Sequence, residues 1–137
     1  MPAPEHPWVG QYQGEWQLRS ANPNLPQWLR VVSLAYGSHR ANGHAPFPTR
    51  AVADALGTVD PNTGELFPDV NVSKWIKAAV DNGFIARGST ARCLVVPGHT
   101  FNSAPGHPGE PCPWHDGRRR RRGTRVPQVR EGLPNPY

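Results

Sequence analysis

The sequence has no unbroken apolar run near the ~18–20 residues that a membrane-spanning helix needs. Its opening, Met-Pro-Ala-Pro-Glu-His-Pro, lacks the basic and apolar regions of a secretory signal. Only two cysteines occur, too few for a disulfide framework, and their surroundings differ. These absences lead us to expect a reduced, cytoplasmic protein with no membrane partner. Catalytic signatures are missing as well. There is no Gly-rich phosphate loop after a strand, no Ser or Cys in a nucleophile motif and no paired-carboxylate motif. Asp54, Asp60, Glu65 and Asp69 are spread over an expected helix and turn, where solvated acids are ordinary. A non-enzymatic role is expected.

Apolar residues are also scarce, at 36% of the chain, whereas breakers abound, with 17 prolines and 14 glycines in 137 residues. The breakers crowd residues 1–26 and 97–137, which leaves the middle to hold a core. One domain is expected at 24–97, preceded by an irregular aromatic and Pro-rich arm (1–23) and followed by a disordered Pro/Gly/Arg-rich tail (98–137). The net charge of +5 is uneven: through Pro97 eight basic residues face seven acids, and from Gly98 seven arginines face three acids. The basic character is mostly a property of the tail.

In the arm, Trp8, Tyr12 and Trp16 recur at every fourth position, but Gly10 and Gly14 weaken a helix there. The expectation is that these aromatics dock on the domain rather than form a base-stacking platform. Pro26 suits a first helical turn, and Trp28, Leu29, Val32, Ala35 and Tyr36 follow helical spacing until Gly37. A short helix, 50–56, capped by Thr49, should bury Val52, Ala53 and Leu56 and end at Gly57. The connection 58–70 is long for a helix-turn-helix and contains the turn Asp60-Pro61-Asn62-Thr63-Gly64.

The central stretch is 71–97. Val72, Ile76, Ala79 and Val80 form the apolar face of an expected helix, 71–82, capped by Asn71 or Ser73 and stopped by Gly83. The short β-prone runs 84–86 and 92–96 flank Gly88-Ser89, which predicts a hairpin. Helix, helix and hairpin in that order predict a mainly α winged helix-turn-helix. Asn71, Ser73, Lys74 and Lys77 would then face the major groove of double-stranded DNA, and Arg87, Ser89, Thr90 and Arg92 would form the wing on the backbone or minor groove. The run Arg118, Arg119, Arg120, Arg121 and Arg122 would add sequence-independent phosphate affinity.

Cys112-Pro113-Trp114-His115 has the spacing of half a zinc site, with Cys93 and His99 as candidates for the other half. That four-residue spacing matches no common finger, and Cys93 in a strand has the alternative of a buried structural thiol. The default expectation is no cofactor, with zinc at Cys112 and His115 as an option. His6, His39, His44 and His107 receive no role.

Four segments, Asn-Gly-His-Ala-Pro-Phe (42–47), Ala-Asp-Ala-Leu-Gly (53–57), Asp-Pro-Asn-Thr-Gly-Glu (60–65) and Ser-Thr-Ala-Arg-Cys-Leu-Val-Val-Pro (89–97), resemble winged-helix DNA-binding proteins of actinobacteria and their bacteriophages. The late Cys-x-x-His is similar to the ends of those proteins. The resemblance implies a winged helix, makes the 60–68 excursion a family feature, and points to a small transcriptional regulator. It covers roughly residues 25–115. A homodimer is compatible with that reading, although no heptad is present. The alternative is a protein-interaction adaptor that uses the winged helix and the 58–70 loop to hold a host or phage protein.

Overall fold

The computed structural model describes residues 10–101 and 103–115. Trp8 and the arginine run 118–122 lie outside the described residues. The described part is a small mixed α/β arrangement of four α-helices and two two-stranded sheets. In order these are α1 (Gln13–Ser20), α2 (Gln27–Ser38), β1 (His44–Pro46), α3 (Ala51–Ala55), β2 (Thr58–Val59), β3 (Leu66–Phe67), α4 (Val72–Asp81) and β4 (Cys93–Val95), followed by a 3-10 turn at Gly98–Thr100.

Helix α2 is the central support. It starts after Pro26, whose missing N–H would have had no helical partner there. It buries Val31, Val32 and Ala35, and the cluster around them takes in Ala45, Val52, Leu56, Val72, Ile76, Ala79, Ile85, Leu94 and Val96. Burial reaches further round α2 than one stripe, because α1 covers a second side of it. That helix corrects the expectation of an irregular arm. Its glutamines overcome the weak propensity: Gln13 Nε2 donates to the carbonyls of Tyr36 and His39, and Gln17 Nε2 to that of Gly37. These are carbonyls at the end of α2 that would otherwise need other donors. Gly37 lies inside α2, where a Cβ would meet the Gln17 backbone N and Cγ at 3.0 Å, so it admits α1 rather than ending a helix. Trp16 packs on Tyr36 with ring centroids 5.1 Å apart, as expected of the arm, whereas Tyr12 is 85% exposed and does not dock.

Arg30 of α2 is 7% exposed and has no carboxylate partner among the described residues. Its guanidinium donates to Ser20 O, Gln27 Oε1 and Ala55 O, each at 2.8 Å. Ser20 and Ala55 are the last residues of α1 and α3, whose carbonyl ends carry partial negative charge. Two helix termini thus take the place of a counter-ion.

Helix α3 begins at Arg50, which occupies the left-handed region at φ 68°, and Thr49 supplies no side-chain cap. Gly57 follows because a Cβ there would lie 2.5 Å from Phe67 O. The long connection is a small antiparallel hairpin, with Thr58 opposite Phe67 and Val59 opposite Leu66. Val59, Leu66 and Phe67 are exposed on it, as is the following Val70. Helix α4 buries Val72, Ile76 and Ala79 as its spacing requires, and Gly83 at φ +83° turns the chain afterwards. Asn71 sits at the N-cap position without a side-chain cap bond; Asp69 Oδ1 instead accepts the Asn71 N–H and the Trp75 indole N–H.

The expected hairpin between 84–86 and 92–96 is not the pairing found. β4 pairs antiparallel with β1, with His44 opposite Val95 and Pro46 opposite Cys93. Residues 84–86 contribute one backbone bond, Ala86 N to Val95 O at 2.8 Å. Gly43 explains the preference. At φ +84° it accepts the Val96 N–H through its carbonyl, and a Cβ would lie 2.7 Å from Val96 O.

Replacing Arg30 with Ala should cost about 2–4 kcal/mol of stability, since three acceptors lose their donor together. Arg30→Lys should recover less than half, because an ammonium cannot reproduce the planar fork. Denaturant midpoints for the three proteins measure this.

Candidate functional site

The β1–β4 register brings two cluster residues together. His44 and Cys93 are diagonal neighbours on one face of the pair, although 49 positions separate them in sequence. The second pair comes from the Cys112–His115 turn, within the stretch expected to be tail. That stretch is anchored to the domain at several points. Ala41 N–H donates to Pro105 O, Asn42 Nδ2 to Glu110 O, and Arg40 Nε to Glu110 Oε1 at 2.6 Å. Gly106 lies beneath the Arg40–Glu110 pair at φ +94°, a left-handed backbone that favours glycine. Asn42 also orients the histidine, because its Oδ1 accepts the His44 N–H at 2.9 Å.

The outcome is a cluster of His44, Cys93, Cys112 and His115, whose four ligand atoms lie within 4.8 Å of one another. Cys93 Sγ is 3.5 Å from Cys112 Sγ and 3.4 Å from His44 Nδ1, and Cys112 Sγ is 3.4 Å from His115 Nδ1. A tetrahedral zinc ion with bonds of about 2.3 Å to sulfur and 2.0–2.1 Å to nitrogen has edges of about 3.8 Å for S···S and 3.6 Å for S···N. These three edges fall within a few tenths of an ångström of those values, and the other pairs lie within 4.8 Å, a span over which the side chains would draw in around an ion. A disulfide would need the sulfurs at about 2.05 Å and would have no use for two inward imidazoles. Both cysteines are buried. Two thiolates and two neutral imidazoles would cancel the charge of a divalent ion, the electrostatic condition for holding one away from water.

The outer contacts suit a ligand set. His115 offers Nδ1 to the cluster, and its other ring nitrogen, Nε2, lies 2.9 Å from Gly88 O. A backbone carbonyl on the distal nitrogen is the usual way a ligating imidazole has its tautomer and orientation fixed. The His115 backbone N–H also points at Cys112 Sγ, at 3.5 Å. All four positions are filled by protein, as in a structural rather than a catalytic site. The shallow cleft beside it, lined by Arg40, Asn42, Pro46 and Glu110 among others, holds about 240 Å³, below the usual range for a small-molecule site.

His99 is not a ligand. It sits exposed in the 3-10 turn, and His44 takes the place expected for it. Local spacing could not reveal His44, since its partner is two-thirds of the domain away. The available signal was Gly43, whose close approach to a second strand marks the pairing that delivers the histidine.

The expected DNA contacts divide into two groups. On α4, Asn71, Ser73, Lys74 and Lys77 are all exposed, opposite the buried face. Lys77 is paired with Asp81 at 2.7 Å across a solvated helix surface, and Lys74 Nζ lies 5.0 Å from the Trp75 ring centre. Of the four expected loop contacts, only Arg87 makes no internal bond among the described residues. Ser89 Oγ donates to Ala86 O and accepts the Val95 N–H, while Thr90 Oγ1 accepts from Arg92 and Cys93 N–H. These hydroxyls build the turn instead of projecting toward a ligand. Arg92 is half-buried, stacked 3.7 Å over the Trp114 ring, with Nε donating to Phe47 O.

Comparison with known protein families, with curated proteins and with solved structures finds nothing that matches this chain. No helix among the described residues is long and apolar enough to cross a membrane.

Two ionisable groups just before β1, Arg40 and His39, have displaced pKa values. The Glu110 carboxylate raises the Arg40 pKa through its hydrogen bond and charge. Burial lowers the pKa of His39, whose Nδ1 contacts Arg40 O and whose ring packs 4.3 Å from Phe101. With its folded pKa below the ordinary 6.5, neutral His39 contributes stability that is present above that value and lost as pH falls through the folded pKa. The thermal-midpoint difference between wild type and His39→Phe should therefore shift toward the variant on acidification from pH ~7 to ~5. Titration of the cluster, common to both proteins, cancels in that difference.

Proposed function

We propose that this chain is a zinc-binding protein in which the metal is structural, fastening the 103–115 segment onto the α/β core. One observation carries this reading: four ligand atoms from three separate segments converge within 4.8 Å, three of their pairs at 3.4–3.5 Å. Strands of three residues and a small core leave such a domain in need of a staple, which a structural metal supplies. Purified full-length protein should carry one zinc per chain by elemental analysis. Cys112→Ala or His44→Ala should lose it, and chelation should lower the melting temperature by about 10 °C or more. A wild-type protein free of metal after zinc supplementation would sink the proposal.

The second reading is duplex DNA binding by a winged helix, favoured by the outer face of α4. Asn71, Ser73, Lys74 and Lys77 lie there together with no apolar residue needing cover. The order α2, β1, α3, α4, β4 with β1 paired to β4 supports the winged-helix description; the unpaired 84–86 run and the inserted β2–β3 hairpin depart from it. The Lys77–Asp81 pair is no obstacle, because exposed ion pairs of this kind are worth little and exchange readily. Lys74→Ala with Lys77→Ala should weaken duplex binding and reduce the log–log salt slope by about two. Binding to a protein that persists at high salt would instead favour an adaptor role, for which Val59, Leu66, Phe67 and Val70 are the exposed apolar candidates.

A further inference from the structure

We infer that the 86–92 loop is a phosphate-contact surface for duplex DNA whose shape is held by the metal centre. This rests on the zinc reading for the clamp and on the duplex reading for the partner. The loop is fastened to β4 by the Ala86–Val95 bond, by Ser89 and by the reciprocal Thr90–Cys93 backbone bonds. Its tip, Gly88 at φ +91°, has a different anchor: the carbonyl faces His115 Nε2 at 2.9 Å. On the other flank the Arg92 guanidinium lies on Trp114. Trp114 and His115 belong to one turn, which the convergence of Cys112 and His115 on Cys93 and His44 holds in place. Metal at the cluster therefore fixes the turn, and the turn fixes the loop on two sides.

The chemistry of the loop selects the partner. No acid occurs between Asp81 and Glu110, while Arg87 and Arg92 flank the Gly88 tip. Arg87 is exposed with no hydrogen bond or ion pair among the described residues. Gly88 presents backbone without a side chain, so a backbone phosphate can approach closely. No enclosed set of donors converges here as it would around a single free phosphate. The loop also has no large apolar residue with which to enter a lipid surface. Arg87, with no ion pair among the described residues and beside a tip without a side chain, matches an extended polyanion, while Arg92, held by Trp114 and Phe47 O, adds charge to the same flank.

The test uses the full-length chain loaded with zinc and a random-sequence duplex titrated at several salt concentrations, with zinc content and amide exchange of residues 86–92 read alongside. Arg87→Gln should lower the log–log salt slope by about one. Trp114→Ala touches no ligand atom and should keep the zinc, speed exchange in the loop about fivefold and weaken duplex binding about threefold, leaving α2 and α4 exchange unchanged. His115→Cys keeps a fourth ligand but has no ring nitrogen for Gly88, and should loosen the tip similarly. Should it shed zinc, Trp114→Ala decides alone. Zinc retained with loop exchange and duplex affinity both unchanged overturns the clamp and leaves the zinc reading standing. Wild type without zinc overturns both, and zinc-loaded wild type that ignores the duplex at low salt overturns the partner.

Discussion

The pairing of β1 with β4 is the constraint on which the other features depend. It closes a chain loop of some fifty residues through strands only three residues long, with Gly43 extending the ladder by one bond to Val96. Loop closure on that scale costs a few kcal/mol, and a two-stranded ribbon is marginal unless something packs on it. α2 and α4 supply that packing from one side, through Val31, Ile76 and Leu94. From the other comes the 103–115 segment, drawn in by Asn42, the Arg40–Glu110 pair and the His/Cys cluster. The cluster exists only because the register sets His44 and Cys93 on one face, so the proposed metal and the sheet would stabilise each other.

Polar groups in this domain are directed inward to an unusual degree. Gln13 and Gln17 serve the end of α2, Arg30 serves the ends of α1 and α3, Asp69 gathers Gln27 and Trp75, and Ser89 and Thr90 shape the loop before β4. A chain with so few apolar residues for its length gains order by meeting the hydrogen-bonding needs of helix ends and turns. The result bears on function. Ser89, Thr90 and Arg92, read as ligand contacts from residue type and turn position, have structural work instead, which leaves Arg87 and the outer face of α4 as the surface free to meet a partner.

Where sequence and structure part, the reasons are specific. The apolar repeats of α2 and α4 were legible because packing on one side imposes a period, and both helices lie within a residue or so of their expected bounds. Helix α1 was not, because Gly14 lowers its local propensity and its support comes from contacts with α2 more than twenty positions away. The hairpin expectation held only in part. Gly88-Ser89 marks the turn, and the Thr90–Cys93 bridge with the Ala86–Val95 bond ties it to one edge of β4. Residues 84–86 form no strand, however, and the ladder that β4 makes is with β1 on its other edge. Of the cluster, Cys112 and His115 could be read from their spacing and Cys93 was named as a partner. His44 has no local signal of its own, and only the strand register sets it beside Cys93 in place of His99.

By itself the sequence determined the helix faces, the proline before α2 and the glycines after α3 and α4, the turn at residues 60–64 and the Cys-x-x-His half of the cluster. These follow from interactions between residues a few positions apart, whose geometry the backbone dictates. Only the tertiary structure decided which strand β4 joins, which histidine completes the cluster, and which hydroxyls and arginines remain available outside. Those outcomes turn on residues dozens of positions apart meeting across a shared core, where packing and register select one arrangement among several that local preference permits equally.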